Sequence, residues 1–131
     1  MKTNRRRLSS LKKRVLFAQG LGLEPTQAEL IARLDTPEII QDYVTDLCIN
    51  FEPEGDTCLS VAETLKQKRA HCIEGAFVAA CALWVSGRKP LLMDMRADGD
   101  DDHVIALFHS HGCWGAVSKS NHIWLRWRDP V

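Results

Sequence analysis

At 131 residues, with 45% hydrophobic and 26% charged positions, the chain is sized for one domain whose core needs no disulfide staples. That composition excludes wholesale disorder. Seventeen basic side chains balance seventeen acidic ones, so no global charge argues for nucleic acid or a membrane surface.

The charge is nevertheless uneven. Lys2, Arg5, Arg6, Arg7, Lys12, Lys13 and Arg14 all precede the first acidic residue, Glu24. Residues 1–23 read as a basic, solvated arm. Phosphate or anionic lipid would suit it, but no aromatic residue is interleaved with the arginines, so no nucleic-acid partner is expected. Its apolar part, "VLFAQGLGL", is too short and too interrupted for a secretory signal, and no stretch reaches membrane-spanning length. No membrane partner is expected, and the default compartment is the cytoplasm. The five cysteines are odd in number and lack a CxxC pair, so reduced thiols are expected, most of them as core fillers.

Helical signals follow the arm. "PTQAELIARLD" has Thr26 and Glu29 at capping-box spacing and an apolar stripe of Leu30, Ile31 and Leu34. "TPEIIQDYVTDLCI" offers Thr36 as an N-cap with Pro37 at the first helical position. After a loop at "FEPEGDT", Ser60 and Glu63 repeat the capping logic in "SVAETLKQKR". "RAHCIEGAFVAACALWVSG" then predicts a helix that is small or apolar nearly all round, hence buried, with Gly87 as its stop. Gly75 within it points to a close approach by a neighbour.

From Pro90 the periodicity changes to that of strands. "LLMDMRA", "HVIALFH", "CWGAVSK" and "IWLRWR" predict three or four short strands, with turns at "DGDDD" and "SHG". Helices first and strands afterwards predict an α+β domain, a central buried helix packed on a short antiparallel sheet.

Two residues in this order carry chemistry. Cys72 lies at the head of the buried helix, where unpaired N–H groups and the helix dipole favour a thiolate and stabilise an oxyanion. His103 opens the strand after an acidic turn, where an imidazole could hold the thiol proton if the sheet packs against the helix start. Each alone is more often structural: a packed thiol, a surface histidine.

The order "HCIEGA", "DDHVIALF", "GCWGAV" resembles the transglutaminase-like superfamily, whose core is related to papain-like cysteine proteases, over about residues 60–128. The resemblance implies a transglutaminase-like domain over 24–131 that stops short of the family's usual final element. It also implies Cys72 as nucleophile and His103 as base, acting on a peptide or protein amide or on an ester through a thioacyl intermediate, by hydrolysis or acyl transfer. The family's catalytic aspartate falls four residues beyond the tryptophan, and here that position is Ser118. Asn121 is the other residue that could orient the imidazole. The departure leaves open an alternative: a catalytically degenerate module that keeps the fold for binding.

Metal readings are weaker. His109, His111 and Cys113 alternate as on one strand face, but Ser110–Gly112 reads as a turn and the spacing matches no common zinc module. "DGDDD" lacks the alternation and terminal glutamate of a calcium loop. No metal and no cofactor are expected. Asp102 beside His103 points to the opposite strand face, so its pull on the imidazole is slight.

Overall fold

The computed structural model describes residues 10–49, 58–96, 98–99, 103–120 and 127–131. Capping chemistry divides the first half into four helices. Ser10 accepts from the Lys13 amide and starts α1 (Leu11–Gly20). Leu11, Val15 and Ala18 recur at helical spacing and turn α1 inward, with Ala18 fully buried. The segment expected as a solvated arm is therefore a packed helix from Leu11 onward. Its basic residues do not prevent this, because Arg14 donates to the Ala32 carbonyl at 3.1 Å and lies 3.8 Å from Asp35.

Helix α2 (Pro25–Arg33) corrects the expected cap. Glu24, not Thr26, is the N-cap, with Gln27 reaching back to the Glu24 amide at 3.1 Å and Pro25 at the first helical position. Gln27 also donates to the Ala62 carbonyl at 3.0 Å, tying this end to the next elements. Helix α3 (Pro37–Asp46) starts as expected on Thr36, whose hydroxyl accepts from Ile39. Helix α4 (Val61–Gln67) starts on Ser60, which accepts from Glu63, and ends at Lys68 in a left-handed conformation. Two short strands, β1 (Cys48–Ile49) and β2 (Arg69–Ala70), pair in parallel across α4.

Helix α5 (Cys72–Val85) is the hub. Nine of its fourteen residues are buried, in keeping with its apolar circumference. It ends in a Schellman arrangement, Gly87 N–H to Trp84 and Arg88 N–H to Leu83, for which Gly87 takes a positive φ. Phe17 of α1 meets Trp84 edge-on at 5.6 Å, which fastens the first helix to the hub.

The sheet is antiparallel in the order β3 (Leu91–Met95), β4 (His103–Ser110), β5 (Cys113–Val117), β6 (Trp127–Arg128). His111 and Gly112, both with positive φ, close β4 onto β5 in a two-residue turn whose twist suits a hairpin. Of the expected "IWLRWR" strand, 127–128 are a strand and 123–126 lie outside the described residues. Val131 exchanges two backbone hydrogen bonds with Trp114, both 2.9 Å.

Ala106, Phe108 and Val117 share one face of the sheet and join Ala79, Ala82 and Leu83 of α5 in a single core. The domain is thus α+β, with the buried helix laid on the antiparallel sheet. Among the described residues no helix is long and apolar enough to cross a membrane.

Candidate functional site

The first turn of α5 is fixed by a buried acid. Glu74 has no exposed surface, and its two carboxyl oxygens accept from the amides of His71 (2.8 Å) and Leu59 (2.7 Å). A carboxyl group here complements the helix dipole and holds the N-cap in place. Cys72, half-buried, is the first residue of the helix and stands at helical spacing from Ala76, Ala79 and Leu83, of which Ala79 and Leu83 join the core shared with the sheet.

The end of the sheet is fixed by a buried amide. Gln41 donates to the Ser118 carbonyl at 2.9 Å and accepts from the Ser118 amide at 3.1 Å, and it also donates to Thr45 Oγ1 at 3.0 Å. The side chain therefore acts as a short strand partner for the residue just after β5. Next to it, buried Lys119 donates to the carbonyls of Leu47 and Thr45. Its stem passes over Gly75, where an added Cβ would stand 2.6 Å from Lys119 Cβ. The close approach that Gly75 implied is thus real, and it is what brings the Cys72 end of α5 against this end of the sheet.

His103 is paired with Met95 at the start of β4. Alternation puts it with Ile105 and Leu107, on the face opposite Ala106 and Phe108. There it lines a cleft of about 640 Å³ together with Ser118, Met93, Met95 and Trp114. Its Nε2 is buried and has no hydrogen-bond partner among the described residues. Burial lowers the His103 pKa, so the ring is the neutral, basic imidazole near pH 7.

His103 and Ser118 thus meet in one cleft. Cys72 is not among the residues lining it, and stands one helical turn from the Gly75–Lys119 contact beside it. Asn121 and Asp102 lie outside the described residues. Gln41, Glu74 and Lys119 were not singled out from sequence. A signal did exist for Gln41, because it shares the buried stripe Pro37, Ile40, Gln41, Val44 with apolar residues.

The thiols depart from expectation. None of the five is in a disulfide, but Cys48 and Cys58 are exposed and the other three half-buried, of which Cys81 packs against the core, so most are not core fillers. Burial pushes the Cys81 thiol up to about 11. His111 occupies the turn, so His109, His111 and Cys113 do not line one strand face, and the His109 ring packs tilted against Trp114, centroids 4.8 Å apart.

The lowered His103 pKa has a consequence for stability. An unfolded chain takes up the proton near pH 6.5 while the native ring resists it. Below that pH the unfolded state binds more protons, so stability falls as the pH drops toward the native pKa. Urea midpoints at pH 7.5 and 5.5 should fall further for the wild type than for His103→Asn. Equal falls would show that this imidazole is not desolvated.

Searched against protein-family models and against curated proteins, the chain finds no match to either.

Proposed function

We propose that the chain is a transglutaminase-like cysteine hydrolase or acyltransferase. The Cys72 sulfur attacks the carbonyl carbon of an amide or ester, with peptide or protein amides as the expected class, and His103 takes the thiol proton. The helix-start N–H of Cys72 contributes to the oxyanion hole. The carbon–nitrogen or carbon–oxygen bond breaks, the leaving group takes the proton from His103, and the acyl group remains on sulfur. Water or an amine then attacks the thioester and the thiol is restored. Strand alternation puts His103 on the face of the sheet opposite the one α5 packs against, so the reading requires the Cys72 sulfur and the imidazole to meet around the open end of the sheet.

One observation carries this reading. The head of α5 and the His103–Ser118 cleft lie at the same end of the domain, fastened by Lys119 over Gly75. Five thiols outside any disulfide are in keeping with a reducing compartment such as the cytoplasm.

A second reading is a degenerate binding module, favoured by Ser118 where the family has its acid. Without a carboxylate, the imidazole lacks the partner that stabilises its charged form. Iodoacetamide labelling near pH 7, read by peptide mass spectrometry, separates the two. The enzyme reading expects Cys72 to react at least tenfold faster than the exposed Cys48 and Cys58, with Cys81 slowest of all. It also expects His103→Ala to abolish the lead of Cys72. Labelling in order of exposure alone, unchanged in His103→Ala, would leave the module.

A further inference from the structure

We infer that the outer face of the sheet binds a small amphiphilic acid, an alkyl or aryl body carrying one carboxylate or phosphate, with its acidic head toward Arg88 and Lys89. The inference does not depend on the Cys72 reading, because it concerns the face opposite the one α5 packs against. Cross-strand pairing puts Leu91, Met93, Ile105, Leu107, His109 and Trp114 on that face, away from the core residues Ala106, Phe108 and Val117. Two clefts of about 670 Å³ and about 640 Å³ lie along it and adjoin at Leu107 and Trp114. Each is within the size range of small-molecule pockets. Among the described residues no helix contributes to either lining. An open apolar face rimmed by polar groups marks an interaction site, and its concavity suits a small molecule better than a flat bilayer.

The two clefts differ in chemistry. One is floored by Met93, Met95 and Ile105, and methionine side chains adapt to ligands of varied shape. Trp114, 47% exposed, stands between the clefts, and the Val131 main chain paired with it borders the β6 side. The other cleft, where the chain leaves α5 for β3 and β4 turns into β5, holds Arg88, Lys89, His109 and His111. Arg88 is fixed there by donating to the His109 carbonyl at 2.9 Å, and Lys89 is exposed. Histidines aside, the charged side chains described in the two linings are Arg88, Lys89 and Arg128, all basic, in a chain with seventeen residues of each sign. Asp98 follows the opposite end of β3. A cleft lined by one sign of charge concentrates ligands of the other, and hydrogen bonds from arginine or lysine to carboxylate or phosphate are strengthened by charge. An acidic head therefore belongs beside Arg88 and Lys89, and the body it carries crosses Trp114 onto the two methionines.

Isothermal titration calorimetry of the full chain tests this with octanoate, octyl phosphate, 1-octanol, octyltrimethylammonium and butyrate, each below its micelle-forming concentration. Octanoate or octyl phosphate should bind once per chain, about tenfold or more tighter than the other three, which lack either the acid or the apolar length. Lys89→Glu, at an exposed position, should weaken that binding about tenfold and leave the octanol affinity unchanged. Met93→Glu, on the exposed edge strand, should weaken both, with circular dichroism reporting that the variant is folded. Met95→Glu gives the same readout should Met93→Glu not fold. No binding, or octanol or butyrate binding as tightly as the long-chain acids, would overturn the assignment. So would octanoate binding that neither variant alters, since it would then lie elsewhere. Two other occupants would also overturn it, each in a chain that takes up no octanoate. One is a second copy, seen as a dimer in sedimentation that Met93→Glu dissociates. The other is a bilayer, seen as co-sedimentation with phosphatidylglycerol vesicles that Lys89→Glu abolishes.

Discussion

Glu74→Ala should lower the free energy of unfolding by about 2–4 kcal/mol and slow the alkylation of Cys72. The carboxyl group is fully buried and satisfies two backbone amides, those of His71 and Leu59. Removing it leaves both part-buried donors without that acceptor, and each such loss costs about 1–3 kcal/mol where the donor is cut off from water. The truncated side chain also opens a void beside the first turn, although a water could enter there and recover part of the loss. Glu74→Gln is the informative companion. Its oxygen keeps one of the two bonds, but its NH2 group would face the other amide donor to donor, so an intermediate loss is expected. Urea unfolding followed by far-ultraviolet circular dichroism measures both. A loss below about 0.5 kcal/mol for Glu74→Ala, the size of a surface substitution, would mean that the start of α5 is held by something other than this acid.

The same residue marks the limit of what the sequence discloses. The starts of α3 and α4 and the stop of α5 are local events, set by Thr36, Ser60 and Gly87 within a few residues, and local chemistry is legible. So are the strand runs and the His111–Gly112 turn. The α2 start was read two residues late because glutamate is an uncommon N-cap, although Pro25 was the available clue. Helix α1 was hidden by its charge. The apolar stripe of Leu11, Val15 and Ala18 is present, but Lys12, Lys13 and Arg14 between its members read as an arm until Asp35 and the Ala32 carbonyl supply partners from α2 and just beyond it. The parallel pairing of β1 with β2 joins residues about twenty apart in sequence, through strands too short to show any period.

The site divides along the same line. Cys72 at a helix head and His103 at a strand start are positions within single elements, so chain order sufficed to nominate them. What brings those elements together is three contacts between distant segments: Gln41 with Ser118, Lys119 with the end of α3, and Lys119 over Gly75. Each uses a polar side chain that, by residue type alone, belongs on the surface. Ser118 also has a backbone role. Its amide and carbonyl are both engaged by Gln41, so the backbone at that position is fixed whichever residue completes the site.

Gly115→Ala should be the more disruptive of two glycine substitutions that look alike in sequence, costing about 3 kcal/mol where Gly20→Ala costs nothing or gains up to about 1 kcal/mol. At Gly20 an added Cβ meets no heavy atom within 4 Å, and alanine is the better helix former. At Gly115 the new carbon would stand 2.3 Å from Cζ of Phe108 and 2.8 Å from both Cε atoms. Phe108 is the cross-strand partner of Gly115, is 2% exposed, and packs tilted on Trp127 at 5.5 Å. The ring cannot swing outward without opening the core shared with α5, nor shift sideways without displacing Trp127. The usual strand penalty for glycine is therefore outweighed by the space its missing side chain leaves for a phenyl ring. If that account is right, Phe108→Leu should relieve the clash, and the Gly115→Ala/Phe108→Leu pair should lose clearly less than the sum of its single losses. Strict additivity in urea unfolding would mean the two residues do not compete for the same volume.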